Sequence, residues 1–183
     1  MSEIELSVIL ERDINDSLDA ELRAALMECY PKDVQYFRKR SWWQSKPSWR
    51  VIAQEENGKI VAHTAIVLRS VQVGDNSMPV WVAGIQGVFV RQPYRGKGLS
   101  DRIMERAVKE MDHHNLEAGM LFCIPKLEGL YGRMGWQKIN AAVSFIGDLG
   151  EDESLLEDTT VMVYPVKLKA FPQGYIDLNG RDW

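Results

Sequence analysis

The chain has 183 residues, of which 45% are hydrophobic and 26% are charged, and its formal net charge is −4 at pH 7. This composition is typical of a folded protein with one sizeable core, which excludes a disordered chain. The acidic balance argues against nucleic acid as the main partner, and no apolar run approaches the roughly 18 residues of a membrane span. We therefore expect a single domain over residues 1–183, with no nucleic-acid or membrane partner.

The amino terminus and the cysteines favour a cytoplasmic location. Residues 1–6 lack the basic and then apolar pattern of a secretory signal peptide. Cys29 and Cys123 are the two cysteines, too few for a disulfide framework. We expect both to be reduced thiols.

Hydrophobic periodicity and turn residues predict the elements of the first half of the chain. Leu22 and Leu26 share one face of a helix that Asp16 or Ser17 can cap. The pair Asn57-Gly58 predicts a tight primed turn between two strands. The predicted elements are a strand over 4–11, helices over 16–29 and 31–39, an irregular segment over 41–48, and strands over 49–54, 60–73 and 80–90.

The second half opens with an amphipathic helix from Leu99 to about His114, whose apolar face carries residues such as Ile103 and Met111. The later predicted elements are a strand over 120–124, a helix over 127–134, and strands over 138–145 and 159–164. The resulting order is β-α-α-β-β-β-α-β-α-β-β. We find neither an internal repeat nor a low-complexity linker.

Residues 86–100 are the most informative segment. A β-branched run ends in a short polar loop, and a basic turn with two glycines then opens the helix at Leu99. Glycine lets the main chain approach a ligand closely, and the N–H groups and dipole of a helix amino end favour an anion. The two best-known phosphate-loop patterns are absent. Basic residues gather around this segment: Arg91, Arg95, Lys97 and Arg102. The segment therefore predicts a diphosphate cradle.

The same turn resembles motif A of the GNAT N-acetyltransferases, Arg/Gln-x-x-Gly-x-Gly/Ala, with Arg95, Gly98 and Ser100 in its positions. Ser100 departs from the usual Gly or Ala, although it is also small. The resemblance implies acetyl-CoA as the cofactor, with its diphosphate held by main-chain N–H groups. The cofactor-binding residues that it implies are Val88, Phe89, Val90, Arg95, Gly96, Lys97, Gly98, Leu99 and Ser100.

A second segment, residues 128–136, resembles a later motif of the same family, a short helix with Leu-Tyr that ends in glycine and an aromatic residue. Together the two motifs imply the GNAT fold, an α+β architecture. Its mostly antiparallel sheet of about seven strands is splayed at the cofactor site and flanked by helices. The resemblance also implies that Tyr131 is the general acid. A phenol, with a reference pKa of about 10, is protonated at neutral pH and suits this role. The alternative is a tyrosine whose ring simply packs in the core.

Gly84 and Gly87 interrupt the central strand, and interior glycines mark a bulge or a close approach. In the family the pantetheine arm of the cofactor pairs here with the main chain, which implies Val88 and Val90. Many relatives carry a glutamate base at the position of Gln86. Glutamine cannot take up a proton, so we expect Gln86 to position water or substrate, and the base stays open.

The three histidines favour structural interpretations. His63 lies in a predicted strand, and His113 and His114 lie at a helix end, where a histidine suits the helix dipole. No cysteine or carboxylate spacing around them is typical of a metal site, so we expect no bound metal.

The closest resemblance within the family is to aminoglycoside 2′-N-acetyltransferases. Residues 87–96 and 130–136 carry it, together with 157–165 and the ending Gly-Arg-Asp-Trp. It implies that Glu157, Asp182 and Trp183 bind substrate amines, although one residue of the terminal motif is missing here. Trp42 and its neighbours Trp43 and Trp49 could stack on sugar rings or could equally belong to the core.

A rival resemblance is to rhizobial nodulation N-acyltransferases, which move a fatty acyl chain from acyl carrier protein to a chitin oligosaccharide amine. It rests on 41–42, 49–50, 62–63 and above all 171–180. Both families acylate an amino sugar, which strengthens that substrate class. Tyr131 and the intact turn at 95–98 favour acetyl-CoA over an acyl carrier protein as the donor. Three hypotheses stay open: an acetyltransferase for an amino-sugar or polycationic amine, a long-chain acyltransferase, and a non-catalytic CoA-binding module. The family resemblance also favours a homodimer.

Overall fold

Four helices and ten strands occur within residues 3–183, the part of the chain that the computed structural model describes. The helices are α1 (Asp16–Cys29), α2 (Val34–Phe37), α3 (Leu99–His113) and α4 (Glu128–Arg133). The strands are β1 (Ile4–Leu10), β2 (Trp49–Glu55), β3 (Ile60–Val73), β4 (Met78–Val90), β5 (Ala118–Cys123), β6 (Gln137–Ile139), β7 (Val143–Ile146), β8 (Asp152–Ser154), β9 (Thr160–Pro165) and β10 (Ile176–Asp177). The predicted α+β class with mostly antiparallel strands is confirmed.

The chain divides into two compact units. The first contains residues up to Ile66 together with Gln86–Ala107, and the second contains Val67–Ile85 and Val108–Trp183. Strands β3 and β4 and helix α3 each contribute residues to both units. Within the described residues, no helix is long and apolar enough to cross a bilayer.

In the first unit, β1, β2 and β3 form an antiparallel meander with Ile9 opposite Arg50 and Ile52 opposite His63. Helix α1 buries the apolar face that its periodicity predicts, and this face packs in one cluster with β-strand residues. The fully or almost fully buried members of this cluster are Leu22, Ala25, Leu26, Phe37, Ile52, Ile60 and Phe89. This packing fixes α1 against the meander.

In the second unit, the hydrogen-bonded strand order is β6-β9-β5-β4-β3-β10-β7-β8. The pair β4–β5 is parallel and runs from Val82 opposite Ala118 to Ile85 opposite Leu121. The pair β7–β10 is also parallel. Valine dominates the core of this unit, and Trp183 is buried within it.

Three local predictions were wrong. Helix α1 is capped by Asn15, whose side chain accepts a hydrogen bond from the Leu18 N–H at 2.9 Å, instead of by Asp16 or Ser17. Gly58 is the one residue of its turn with positive φ. The main-chain N–H of Glu55 donates to the carbonyl of Lys59, so three residues lie between the hydrogen-bonded pair. A primed two-residue turn is therefore not formed there.

The predicted strand over 138–145 is two strands, β6 and β7, because residues 140–142 leave the ladder. Strands β8 and β10 have three and two residues, too few to show a period-2 pattern in the sequence. These additions raise the number of strands from the expected seven to ten in the described chain.

Candidate active site

Strand β4 is kinked at Gly87, whose φ of +59° lies in the region that favours glycine. The carbonyl oxygen of Gly87 is 2.8 Å from His63 Nδ1. One residue further along, the Val88 carbonyl accepts a hydrogen bond from the Tyr30 hydroxyl at 2.6 Å. The main chain of this strand end is therefore oriented by side chains of the same unit.

The turn after β4 contains two more left-handed glycines, Gly96 with φ +73° and Gly98 with φ +72°. A Cβ atom built on either one meets no atom within 4 Å beyond its immediate chain neighbours, so the space beside the main chain is open. Leu99 is buried and begins the 15-residue helix α3. The first N–H groups of a helix have no acceptor within the helix, and its amino end is electropositive. The turn thus presents main-chain donors to an anion.

The basic residues around this turn fall into two groups. Arg91 is 7% exposed and makes ion pairs with Glu21 at 2.9 Å and Glu28 at 3.3 Å, so its charge is balanced. Arg95 and Lys97 are exposed, and Arg95 Nε donates to the last carbonyl of β4 at 2.9 Å. The predicted basic cluster is therefore smaller than expected, because Arg91 faces two carboxylates.

Gln86 is buried and uses both ends of its amide. Its Oε1 accepts from the Trp43 main-chain N–H at 2.6 Å, and its Nε2 donates to the Ser45 carbonyl at 2.7 Å. The side chain thereby fastens the irregular 41–48 segment to β4. A direct part for Gln86 in the chemistry stays a prediction.

A buried ionic network lies beside the kink of β4. Arg50 is fully buried and binds Glu11 through two hydrogen bonds of 2.7 and 3.0 Å. It also donates to the Ser41 carbonyl at 2.7 Å, and its Nη1 is 3.4 Å from His63 Nε2. Burial, followed by the positive charge of Arg50, lowers the pKa of His63 to about 3. The imidazole is therefore neutral at physiological pH and too weakly basic to take a proton from an amine.

Tyr131 lies in α4 of the second unit and is 6% exposed. Burial, with a smaller contribution from Cys123, raises the pKa of Tyr131 to about 12. The hydroxyl therefore keeps its proton throughout the neutral range. Burial likewise raises the pKa of Cys123 to about 11, so this thiol is also protonated.

Helix α4 is fastened at its first residue. Glu128 Oε1 accepts from Thr160 Oγ1 at 2.6 Å and from Lys138 Nζ at 2.8 Å. The hydrogen bond from Lys138, followed by that from Thr160, lowers the pKa of Glu128. These bonds connect α4 to β6 and β9, and thereby hold the short helix that carries Tyr131.

The carboxyl-terminal segment enters the core of the second unit. The Trp183 ring stacks on Phe122 with a centroid distance of 5.3 Å and lies against Gly84, where a Cβ would come within 2.3 Å of the indole. The expected close approach at Gly84 is confirmed. The Arg69 guanidinium lies 5.5 Å from the Trp183 ring centroid. Asp182 Oδ1 is buried without a hydrogen-bond partner, and burial raises the pKa of this carboxyl.

The three tryptophans of 42–49 lie in different environments. Trp49 is 4% exposed, and Trp43 packs edge to face on Phe37 with centroids 4.6 Å apart. Trp42 is half-buried, with Lys46 Nζ 5.6 Å from its ring centroid. Trp42 and Trp43 are therefore the half-buried members of this group, and Trp49 is buried. Glu157 is exposed in a turn before β9.

At the carboxyl end of α3, Glu110, His113 and His114 bring one potential ligand atom each within 4.8 Å of one another. His113 and His114 are exposed, and His114 Nε2 lies 3.9 Å from a carboxylate oxygen of Glu110. The absence of a metal site stays a prediction.

Sequence reasoning missed the network of Glu11, Ser41, Arg50 and His63. A signal for it was present, because Arg50 stands among apolar residues of a strand that is otherwise typical of a core. A charged residue at such a position is rarely fully buried without a partner. The identity of that partner depends on the register of β1 with β2, which the sequence leaves undetermined.

Comparison with known proteins agrees with this fold. A family model described as "Acetyltransferase (GNAT) domain" matches residues 12–139. Nodulation protein A of Sinorhizobium fredii is 29% identical over 152 residues, which cover 78% of this chain and 76% of that protein.

Solved structures give the same picture. A GNAT-family N-acetyltransferase from Escherichia coli, solved in complex with CoA, has a TM-score of 0.65 at 16% identity, and covers 97% of this chain and 91% of its own. An acyl-CoA N-acyltransferase from Pseudomonas aeruginosa has a TM-score of 0.63 at 17% identity, with 88% and 99% covered. Since the family model spans well over half of the residues, the chain belongs to the GNAT acetyltransferase family.

Proposed function

We propose that this protein transfers an acetyl group from acetyl-CoA to a primary amine of an amino sugar or a related polycationic small molecule. The observation that carries the proposal is the open turn at Gly96 and Gly98, which presents main-chain donors at the amino end of α3. The family match runs through residues of both units, which supports one acetyltransferase domain over 1–183. A cytoplasmic location and a homodimer stay predictions.

The turn fits the diphosphate of CoA. Its unobstructed main chain and the exposed side chains of Arg95 and Lys97 suit a doubly charged anion. Ser100, in the first turn of α3, completes this set with Leu99 and Phe89 as buried supports.

The end of β4 suits the pantetheine arm. Main-chain groups of Val88 and Val90 can pair with an extended, amide-containing ligand as a neighbouring strand would. Their carbonyls also accept from Tyr30 and Arg95, and a carbonyl oxygen has two lone pairs, so a second hydrogen bond is available.

Acetyl-CoA supplies a thioester whose acetyl group an amine can take. Tyr131 Oη acts as the general acid and gives its proton to the departing sulfur. The raised pKa of Tyr131 supports this role, because the hydroxyl is protonated at neutral pH. Gln86 positions the 41–48 segment through its two main-chain bonds. Because the Gln86 amide cannot take up a proton, the amine loses its proton to water or to a carboxylate of the substrate site.

Acidic and aromatic side chains supply the acceptor site. Asp182 is the strongest candidate for an amine partner, because a buried acceptor without a hydrogen bond is costly unless a donor reaches it. Glu157 is an exposed second carboxylate, and Trp42 offers a partly accessible ring face to a sugar. Trp183 contributes by packing the segment that carries Asp182.

A second candidate is a longer acyl donor. Nodulation protein A is 29% identical, and the sequence resemblance to nodulation N-acyltransferases implies a fatty acyl donor and a chitin-oligosaccharide acceptor. In that case the acceptor class is unchanged and the donor differs.

A matrix of donors and acceptors tests the proposal. The donors are acetyl-CoA and palmitoyl-CoA, and the acceptors are glucosamine, deacetylated chitotetraose, kanamycin and spermidine, with thiol release and product mass as readouts. Calorimetry with CoA runs in parallel. Transfer from acetyl-CoA to an amino sugar or polycation supports the proposal, and transfer from palmitoyl-CoA alone selects the second candidate. CoA binding without transfer to any amine refutes an enzymatic role and indicates a CoA-binding module.

A further inference from the structure

A buried histidine lies directly beneath the kink of β4. His63 is completely buried, and its Nδ1 lies 2.8 Å from the Gly87 carbonyl oxygen. Its ring also stacks on Phe89, with centroids 5.3 Å apart and planes inclined by 26°. The imidazole is therefore held from one side by packing and from the other by a polar contact with the kinked main chain.

Arg50 determines which ring nitrogen carries the proton. A guanidinium has donors and no acceptor, so His63 Nε2, at 3.4 Å from Arg50 Nη1, must present its lone pair. The proton of the neutral imidazole consequently resides on Nδ1, which donates to the Gly87 carbonyl. Glu11 holds Arg50 through two hydrogen bonds, so the order of donation runs from Arg50 to His63 to Gly87.

The direction of the Gly87 carbonyl fixes that of the next N–H group. A trans peptide is planar, and its C=O and N–H point in opposite directions; no cis peptide occurs in the described chain. With the Gly87 carbonyl directed at His63, the Val88 N–H points away from the histidine. Gly87 has a positive φ and glycine is conformationally free, so the residue itself does not impose this orientation.

We propose that His63 is a positioning residue that holds the Gly87–Val88 peptide so that the Val88 N–H donates to the carbonyl oxygen of the bound acyl group. This inference rests on the proposed function, because it needs a thioester on the Val88–Val90 strand end. A fixed main-chain donor aimed at an oxygen that gains negative charge speeds acyl transfer, and removal of one such donor costs about 10²- to 10³-fold in kcat. His63 acts through Gly87 and does not touch the reacting atoms.

Three variants separate positioning from packing. His63→Asn places an amide N–H near the position of Nδ1 and keeps the donor to Gly87. His63→Gln places its amide near the position of Nε2, keeps an acceptor for Arg50 and removes the donor to Gly87. His63→Leu fills the space without either bond. Urea unfolding identifies the variants that are folded, and calorimetry with CoA measures cofactor affinity.

Two readouts follow. The first is ¹⁵N NMR of the acceptor-free protein, in which the His63 ring should carry its proton on Nδ1, and the Val88 amide should shift with acetyl-CoA more than with CoA. The second is steady-state kinetics with the best acceptor of the panel. We expect His63→Asn to stay within about threefold of wild type. His63→Gln and His63→Leu should lose about 10²-fold in kcat with CoA affinity and KM within about threefold.

The outcomes are distinguishable. A proton on Nε2, an equal Val88 response in wild type and His63→Gln, or equal kcat values for His63→Asn and His63→Gln overturns the proposal. If wild type transfers no acetyl group but the Val88 amide responds to acetyl-CoA and loses that response in His63→Gln, the proposed function fails and the positioning role stands.

Discussion

Acidification should destabilise the fold through His63, and the effect can be calculated. The pKa of this buried imidazole is about 3, against an ordinary value of 6.5, because burial and then Arg50 oppose its charged form. The native state therefore binds no proton as the pH falls through 6.5, whereas the unfolded chain does. The contribution of His63 to stability is complete above pH 6.5 and is lost between pH 6.5 and pH 3.

The two pKa values give the magnitude. At about pH 5 the unfolded imidazole gains roughly 2 kcal/mol from protonation, and the native one gains almost nothing. The limiting loss near pH 3 is about 5 kcal/mol, since each pKa unit corresponds to about 1.4 kcal/mol. A loss of this size is a large fraction of the stability of a typical domain, which is about 5–15 kcal/mol.

Urea unfolding followed by tryptophan fluorescence at pH 7.5, 6 and 5 measures this loss. Other groups titrate as well, so wild type is compared with His63→Asn, which keeps the amide donor and does not titrate in this range. Wild type should lose about 2 kcal/mol more than the variant between pH 7.5 and pH 5. Equal losses in the two proteins would show that the imidazole is solvated or already charged, and would refute the reasoning.

Three further predictions follow from the glycines and from Tyr131. Gly84→Ala should destabilise the protein by about 1–3 kcal/mol in urea unfolding, because the new Cβ overlaps the Trp183 indole. Gly129→Ala in α4, where a Cβ meets nothing within 4 Å, is the matched control and should be neutral or slightly stabilising. Gly98→Val should weaken CoA binding at least tenfold by calorimetry, because it strains a left-handed residue and fills the open side of the turn; unchanged affinity would place the diphosphate elsewhere. Tyr131→Phe should lower kcat at least tenfold with unchanged CoA affinity, and full turnover would remove the general-acid role.

The turn and α3 were predictable because their signals are local. Two glycines before a helix, and apolar residues at helical spacing from Leu99 onward, determine the conformation with little help from distant residues. The same holds for the buried face of α1. The cap of α1 lies one or two residues before the predicted positions, since Asn15, Asp16 and Ser17 are all good caps and the local sequence does not select among them.

The polar interior was not predictable in the same way. Gln86 is expected from the sequence to position water or substrate, and in the structure its amide bonds the main chain of Trp43 and Ser45, more than forty positions earlier. His63 was expected to be structural, and the contact that gives it a definite partner, Gly87, lies 24 residues away. Such contacts depend on register and on loop placement, which no local pattern encodes.

The buried Arg50–Glu11 pair is best explained by what it orients. Burial of an ion pair costs desolvation, and an apolar replacement of similar volume is often as stable, so stability alone does not account for a fully buried arginine. A glycine kink, in contrast, needs an external constraint, because Gly87 can adopt many conformations at similar energy. The ion pair selects one tautomer of His63, and this tautomer selects one orientation of the Gly87–Val88 peptide. A charge pair in the core thereby sets the direction of a single main-chain donor, a result that packing of aliphatic side chains could not produce.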